Sequence, residues 1–282
     1  MKRALLLLTG ILFLNVTAFS QNTNFWIFLC FGQSNMEGYP GIQEEDKGPV
    51  DDRFQMFAAV DFPKQERKMG QWYPAVPPLC RPNCGLCPAD FFGRTLVSNL
   101  PPNIKVGVLN VAVAGCKIEM FDKDNFQNEV AKAPPWMANV VKAYGGNPYQ
   151  RLVDMAKLAQ KDGVIKGILL HQGESNTNDK EWPNKVKGIY ENLLKDLNLK
   201  AGDVPLIAGE VVPADQKGAC ASMNKIIDDL PKIIPTAHVV SSTNCVARAD
   251  HLHFTPAGYR ELGTRYANTT LPLLGIQKAE TK

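Results

Sequence analysis

The chain has 282 residues, of which 45% are hydrophobic and 21% charged, which is the composition of a globular protein and excludes a largely disordered one. Its length fits one large domain with a sizeable core, and no repeat, low-complexity tract or linker divides the sequence. The net charge of +3, without any long basic run, gives no reason to expect nucleic acid as a partner.

The first twenty residues have the pattern of a secretory signal peptide. Lys2 and Arg3 form a charged start, and residues 4–14 are almost wholly apolar. Because this apolar run is shorter than the about 20 residues that span a bilayer comfortably, cleavage after Ser20 is favoured over a membrane anchor. We expect a signal peptide at 1–20, a single domain at 21–282, a secreted or periplasmic location, and no membrane association once the leader is removed.

Behind the leader, apolar runs alternate with amphipathic segments, which predicts alternating strands and helices. The predicted strands are Phe25–Phe31, Lys105–Ala114, Val164–Leu170, Val204–Val212 and His238–Ser241. The predicted helices are Asp90–Leu100, Asn147–Gln160, Asn184–Leu197, Ala221–Ile234 and Pro256–Ala267. Strands that alternate with helices pair in parallel and are covered on both faces. The expected fold is therefore α/β, a three-layer α/β/α sandwich around an open, mostly parallel sheet of about five strands.

The long segment from Met36 to Pro88 interrupts this alternation and is expected to be a functional loop. It contains three of the seven cysteines, Cys80, Cys84 and Cys87. Three neighbouring thiols without an adjacent fourth ligand favour a loop disulfide in an oxidising compartment over a zinc site. The sequence leaves the pairing open, and the odd number of cysteines leaves at least one thiol free or paired between chains. We expect no metal and no cofactor.

Polar or glycine-rich segments follow the predicted strands, and active sites of open parallel sheets form where strands end. Gly32–Met36 follows the first strand, Ala114–Cys116 the second, and His171–Asn176 the third. Asp250 and His253 stand just before the last predicted helix. We expect these segments to meet at one edge of the sheet and to form a reaction centre.

Ser34 is the candidate nucleophile, although Gly-Gln-Ser-Asn taken alone is more typical of a tight turn. A serine hydroxyl needs a neighbouring base near neutral pH. Asp250 and His253 are three residues apart, so the carboxylate can hold one ring nitrogen while the other accepts the serine proton. Among the four histidines, His251 is an alternative base, whereas His238 opens a predicted strand at its far end. No zincin, P-loop, dinucleotide or Gly-x-Ser-x-Gly motif offers another chemistry.

A nucleophile after the first strand and Asp-x-x-His near the end together resemble the SGNH (GDSL-like) hydrolase superfamily. The sequence is most similar to its carbohydrate esterase family 6 and sialate O-acetylesterase-like branch. Gly32–Met36, His171–Glu174 and Asp250–His253 look like the first, third and last blocks of that branch, in the right order. The likeness covers about Phe25 to Ala267. It implies a flavodoxin-like SGNH fold and a serine esterase that removes acetyl groups from carbohydrate through an acetyl-serine intermediate.

The resemblance also implies roles for individual residues. Ser34 would attack the acetyl carbonyl, and His253 would be the base that Asp250 orients. Glu174 would be a second carboxylate partner of His253; positioning the Gln172 loop, or favouring a helix start, are its alternative roles.

The oxyanion hole implied by the resemblance consists of the backbone N–H groups of Ser34 and Gly115 and the side-chain amide of Gln172. The broad superfamily has asparagine at this last position. Glutamine carries the same amide donor on a longer stem, so the substitution is chemically sensible. Gly38 is expected to turn the chain away from the site.

The substrate is less constrained, since the branch acts on acetylated xylan and on acetylated sialic acid. A sialate carboxylate calls for a cation, and the arginines near the motif segments are Arg81, Arg94 and Arg248. Neutral sugar rings call for aromatic platforms, and the loop tryptophans are Trp72, Trp136 and Trp182. We favour acetylated xylan or a related plant polysaccharide, with sialate as the alternative.

Two other classes of protein remain. A carbohydrate-binding protein without turnover shares the fold, but every inferred triad position is filled, which favours an enzyme. A lipid esterase ranks lower because Met36–Pro88 is largely polar. The oligomeric state is open.

Overall fold

The computed structural model describes residues 21–39 and 41–276. The expected signal peptide, residues 1–20, lies outside the described residues. Within the two described ranges, no helix combines the length and apolar character needed to cross a bilayer.

The described residues form one seven-stranded sheet in the order β3-β2-β4-β1-β5-β6-β7. The strands are β1 Asn22–Gly32, β2 Phe54–Phe57, β3 Trp72–Pro74, β4 Lys105–Ala112, β5 Gly163–His171, β6 Leu206–Gly209 and β7 Ala237–Val240. Neighbouring strands are parallel throughout, except that β2 and β3 pair antiparallel. The α/β class and the mostly parallel sheet expected from the sequence are confirmed.

The sheet has two more strands than expected, and both arise within Met36–Pro88. β2 and β3 have four and three residues, which is too short for a periodic pattern to stand out. β2 extends the sheet beside β4, and β3 then covers the edge of β2. The interrupting segment is therefore partly an extension of the sheet.

The helices are α1 Ser34–Glu37, α2 Pro88–Asn99, α3 Gln127–Val130, α4 Pro135–Ala143, α5 Pro148–Ala159, α6 Trp182–Asp196, α7 Asn224–Ile227, α8 Leu230–Ile233 and α9 Pro256–Leu273. α2 and α9 pack on each other, α2 against β2 and β4 and α9 against β6 and β7. α5 packs against β1 and β4, and α6 packs on α7 and α8. The expected helix at Ala221–Ile234 is broken into short turns because Pro231 cannot continue a helix through its position.

The strand β1 lies at the centre of the sheet, between β4 and β5. The side chains from Ile27 to Phe31 are all 0% exposed, as expected for a strand covered on both faces. The central order β4-β1-β5-β6-β7 is the flavodoxin-like order. In this order β4 lies on one side of β1, and the later strands β5, β6 and β7 are added on the other side. This reversal opens a crevice beyond the carboxyl end of β1, where Ser34 lies.

Gly32 allows the ends of β1 and β5 to approach closely. A Cβ at this position would lie 2.1 Å from the carbonyl oxygen of His171, and the φ angle of +150° is one that side chains rarely adopt. The next residue, Gln33, donates its backbone N–H to the same oxygen at 3.1 Å. The nucleophile segment is thereby fixed directly beside the segment that follows β5.

Candidate active site

Ser34, His253 and Asp250 form a continuous hydrogen-bonded array. The Oγ of Ser34 lies 2.9 Å from Nε2 of His253, and Nδ1 of His253 lies 3.0 Å from Oδ2 of Asp250. With a proton on Nδ1 facing the carboxylate, Nε2 is free to accept the proton of the serine hydroxyl. The structure thus brings together the three residues that the sequence singled out for nucleophilic chemistry.

The turn that carries Asp250 and His253 is held by its own backbone. Oδ1 of Asp250 accepts the N–H groups of Leu252 at 2.9 Å and His253 at 3.0 Å. Partial burial raises the pKa of Asp250, but the hydrogen bonds from His253 and Leu252 outweigh it and lower the pKa to about 2. The carboxylate therefore stays ionised near neutral pH and stabilises a positive charge on His253.

The alternative base, His251, faces another way. It adopts a left-handed backbone conformation with φ of 56°, and its Nδ1 lies 3.2 Å from the backbone oxygen of Gln216. Its place in the array is taken by His253, whose carbonyl oxygen accepts the N–H of Arg248 at 2.8 Å. The cap at Thr255, which accepts from Gly258 N–H, then starts α9.

Two backbone N–H groups are available beside Ser34 for a developing oxyanion. In residues 21–39 and 41–276, neither the N–H of Ser34 nor that of Gly115 donates a hydrogen bond to the protein. The Gly115 turn is held from both sides, because its carbonyl accepts Ser175 Oγ at 3.0 Å and the N–H of Val113 donates to Gly32 at 3.1 Å. This arrangement suits the oxyanion-hole roles expected for Ser34 and Gly115.

The expected oxyanion role of Gln172 does not match its surroundings. Its Nε2 lies within hydrogen-bond distance of three protein acceptors, Gln33 Oε1, Cys116 O and Asn176 Oδ1, at 3.1, 3.2 and 2.8 Å. Its Oε1 accepts the indole N–H of Trp182. An amide has two N–H groups, so three protein acceptors leave no free donor for substrate. Gln172 instead contacts Gln33, Cys116 and Asn176 and so links the segments that follow β1, β4 and β5.

Gln33 is the amide that sequence reasoning did not single out. Its Oε1 accepts from Gln172 Nε2 and from the N–H of Ser175 at 3.2 Å, which fixes the side chain directly before Ser34. Its Nε2 donates to none of the described residues and is not among the buried polar atoms that lack a partner. Its position directly before Ser34 was the signal in the sequence that could have identified Gln33 as a residue of the site.

The expected contact between Glu174 and His253 is not formed. Oε1 of Glu174 accepts Nδ2 of Asn35 at 2.5 Å and lies 3.9 Å from Nε2 of His171. The same Asn35 nitrogen donates to the carbonyl of Leu252 at 3.1 Å. Glu174 therefore orients Asn35, which joins the nucleophile helix to the turn that carries the base.

Burial shifts the pKa values of this second acid and of its neighbour. Loss of solvent raises the pKa of Glu174 to about 7, and burial lowers the pKa of the neighbouring His171 to about 3. Tyr259 donates to Oδ1 of Asn35 at 2.7 Å and completes the buried polar group. One oxygen of Glu174 and Nε2 of His171 have no partner in the described protein.

Glu37 connects α1, the helix that begins at Ser34, to the turn at Ala114 and Gly115, called here the oxyanion turn after the role expected for Gly115. Its Oε2 accepts the N–H of Ala114 at 2.6 Å, directly before Gly115, and its Oε1 forms an ion pair with Arg81. Glu37 lies three residues after Ser34 in α1, so one short helix carries both the nucleophile and the group that positions its oxyanion turn. Gly38 then turns the chain away with φ of 110°, as expected.

The cysteines are unpaired, so the expected loop disulfide is not formed. Cys80 is buried with its Sγ 3.3 Å from the hydroxyl of Tyr144, and Cys84 Sγ donates to Glu37 Oε1 at 3.7 Å. Cys80 Sγ also lies 4.0 Å from the carbonyl oxygen of Ala112, so this thiol packs as a polarizable side chain at the end of β4. In the described part of the chain, no group of three or more histidine, cysteine or acidic residues is arranged to hold a metal.

Of the three arginines considered for carboxylate binding, two are committed to other groups. Arg81 pairs with Glu37, and Arg94 pairs with the buried Asp90 at 2.5 Å. Arg248 lies over the ring of Tyr39, 5.1 Å from its centre, and its Nε is 3.8 Å from Oδ2 of Asp250. Of these three guanidinium groups, that of Arg248 is the one that lies beside Asp250.

Of the three tryptophans considered for sugar stacking, only Trp136 is largely exposed. Trp182 is fully buried, and Trp72 packs against Phe25 and Phe57. Trp136 is 52% exposed and lies against Gly115. On the other side of the site, Tyr39 is 48% exposed and its ring lies 4.4 Å from that of His253.

A doubly wound sheet with a serine–histidine–aspartate array beyond its central strand has the architecture of a serine hydrolase. The chain matches the family model described as carbohydrate esterase, sialic acid-specific acetylesterase, over residues 24–272. The chain belongs to this family of carbohydrate esterases. It is a carboxylic ester hydrolase of the carbohydrate or sialate acetylesterase type, as the sequence resemblance implied.

Solved structures of similar proteins support the fold. A protein from Arabidopsis thaliana aligns over 89% of this chain and 99% of its own, with 20% identity and a TM-score of 0.68. NanS aligns over 92% of this chain and 100% of its own, with 15% identity and a TM-score of 0.68. A carbohydrate acetylesterase from Xanthomonas citri aligns over 88% of this chain and 56% of its own, with 16% identity and a TM-score of 0.61.

Proposed function

We propose that this chain is a secreted serine esterase that hydrolyses O-acetyl esters on carbohydrate through an acetyl-Ser34 intermediate. The observation that carries the proposal is the unbroken hydrogen-bonded array from Ser34 through His253 to Asp250. The filled triad favours this enzyme over a carbohydrate-binding protein without turnover.

The first half of the reaction forms the intermediate. Nε2 of His253 takes the proton of Ser34 as Oγ attacks the acetyl carbonyl carbon, and the carbonyl oxygen becomes an oxyanion facing the N–H groups of Ser34 and Gly115. Asp250 stabilises the imidazolium. The tetrahedral intermediate collapses, the bond to the sugar oxygen breaks, and His253 returns its proton to that oxygen.

The second half releases acetate. A water molecule gives one proton to His253 and attacks the acetyl-Ser34 carbonyl, so that a second oxyanion forms in the same place. Collapse breaks the bond to Oγ, and Ser34 regains a proton from His253. The residues thus return to their starting protonation states, and each cycle converts one ester and one water into a sugar hydroxyl and acetic acid, which ionises to acetate and a proton.

Loss of the nucleophile is the first test of this mechanism. Ser34→Ala should lower acetate release from a small aryl acetate by about 10⁴-fold or more, because the array acts as a unit. Full activity of Ser34→Ala would contradict the proposal. Wild-type activity that disappears on treatment with a chelator and returns with a metal would contradict the proposed metal-free mechanism.

We propose acetylated xylan, or a related plant polysaccharide, as the first substrate to test. The exposed indole of Trp136 beside the oxyanion turn supports a neutral sugar ring. O-acetylated sialic acid is the second candidate, since Arg248 offers a cation beside Asp250 and the family description names sialic acid. Acetate release from both, at equal acetyl concentration, decides between them: faster release from the sialate would reject xylan.

Secretion is proposed from the leader at residues 1–20. The test is N-terminal sequencing of the protein exported by cells that express the full chain. We expect the exported protein to begin at Gln21. An intact Met1 on a cell-retained protein would contradict both cleavage and export.

A further inference from the structure

Exposed aromatic rings lie on two sides of the catalytic array. The ring of Tyr39 lies 4.4 Å from that of His253 with a tilt of 46° between them, and Trp136 lies against Gly115. Single exposed apolar side chains are common on protein surfaces, so exposure alone means little. Both rings, however, contact residues with proposed roles in the reaction, one the base and the other an oxyanion donor.

The backbone holds Trp136 in this place. It is the second residue of α4, which begins at Pro135, and the next residue, Met137, is buried and anchors the helix to the core together with Val141. Because Met137 is buried, its neighbour Trp136 is turned toward the surface. Its position is therefore set by the burial of the opposite side of α4.

Gly115 leaves the space that Trp136 occupies. A Cβ on Gly115 would lie 3.1 Å from Cη2 of Trp136 and 3.3 Å from Cε of Met137, and Gly115 has φ of +67°. The glycine thus allows the six-membered ring of the indole to border the oxyanion turn. No described residue accepts the indole N–H of Trp136, which leaves this donor for a sugar hydroxyl.

The reaction assigns the two aromatic rings to different parts of the substrate. His253 must return its proton to the leaving sugar oxygen, so the sugar that carries the acetyl group lies on the His253 side, next to Tyr39. Trp136 borders the other group that the ester contacts, the oxyanion turn at Gly115. A pyranose ring held on the Tyr39 side leaves Trp136 for the adjoining ring of the same chain.

We propose that Trp136 binds a second sugar ring by stacking, so that the enzyme selects acetylated oligosaccharides and polysaccharides over acetylated monosaccharides. This inference rests on the proposed esterase function and names a substrate-binding residue for it. Aromatic rings present a large, rigid apolar face with little conformational freedom, and Trp adds a polar donor at its edge.

The test compares an aryl acetate, an acetylated methyl xyloside and an acetylated xylo-oligosaccharide. The wild-type enzyme should prefer the oligosaccharide over the xyloside in kcat/KM. Trp136→Ala should lower the ratio of kcat/KM for the oligosaccharide over the aryl acetate by about tenfold, mainly through KM. Trp136→Phe, which keeps a ring, should restore part of this ratio. Leu158→Ala, an exposed apolar residue on α5, is the control and should leave the ratio unchanged.

The outcomes separate the inference from the proposed function. An equal loss on all three substrates would show that Trp136 only positions Gly115, and an unchanged ratio would show no sugar contact; either result overturns the inference. A gain on aryl butyrate would make Trp136 a limit on acyl length and would also overturn it. Ser34→Ala, measured in parallel, reports on the esterase mechanism independently of Trp136.

Discussion

Two carboxylates serve the same catalytic array from opposite environments. Asp250 lies in a partly exposed turn, accepts two backbone N–H groups and His253, and has its pKa lowered to about 2. Glu174 is buried, accepts Asn35 and has its pKa raised to about 7 by loss of solvent. The same chemical group is thus kept ionised in one place, whereas in the other it gains and loses its proton near neutral pH.

The difference assigns different work to the two acids. Asp250 touches the imidazole and can stabilise its positive charge directly. Glu174 reaches the base only through Asn35 and the Leu252 carbonyl, so it acts on geometry. Substitutions that remove charge but keep shape should therefore have large effects at one site and small effects at the other.

The largest effect is expected at Asp250. Asp250→Asn keeps the shape but places an amide beside Nδ1 of His253, which favours the wrong tautomer. We expect kcat to fall by about 10³- to 10⁴-fold on an aryl acetate. Glu191→Gln, an exposed acid on α6, is the matched control and should have no effect. A fall of less than tenfold would show that Asp250 is dispensable.

An intermediate effect is expected at Glu37, which bears on the oxyanion turn. Glu37→Ala removes the acceptor for the Ala114 N–H, so kcat should fall by about 10- to 100-fold, less than the complete loss of an oxyanion donor. Glu37→Gln keeps an oxygen at this place and should recover most of the loss. Steady-state kinetics on an aryl acetate separate kcat from KM, and a change confined to KM would contradict a positioning role.

The smallest effect on rate is expected at Glu174. Glu174→Gln keeps an oxygen that can accept from Asn35, so kcat should change by no more than about tenfold. A loss as large as that of Asp250→Asn would restore Glu174 as a direct partner of the base.

The pH dependence of stability tests the Glu174 environment separately. A carboxyl whose pKa rises on folding contributes stability below its unfolded value, and this is lost as pH rises through the folded value. For Glu174 the window runs from the ordinary glutamate pKa of 4.5 to the raised pKa of about 7. The free energy of unfolding of Glu174→Gln relative to wild type should therefore increase between about pH 4.5 and pH 7 and change little above that range. A flat difference in urea unfolding would contradict the raised pKa.

The sequence predicted the central strands well because β1, β4 and β5 are long apolar runs beside polar turns. The order and spacing of the motif segments were also sufficient to predict that Ser34 and His253 lie close together. β2 and β3 were too short to leave a pattern, and Pro231 broke a helix that apolar periodicity had favoured.

Side-chain partners were harder to predict than elements. Glu174 follows Gly173, whose φ of 158° sets the direction in which the next residues leave the strand. Whether its carboxylate meets His253 or Asn35 depends on the packing of α1 against that turn. The surroundings of Gln172 were likewise hidden in the sequence, because the three acceptors around its amide come from Gln33, Cys116 and Asn176.

Direct observation of the acyl-enzyme tests the central claim. The enzyme is mixed with an aryl acetate, quenched in acid within the first turnover, digested and analysed by mass spectrometry. We predict one acetyl group on the peptide that contains Ser34, absent from the Ser34→Ala variant and lost on a longer incubation after the substrate is consumed. Rapid turnover with an unmodified Ser34 peptide, or an acetyl group on another residue that forms at the rate of turnover, would contradict the account.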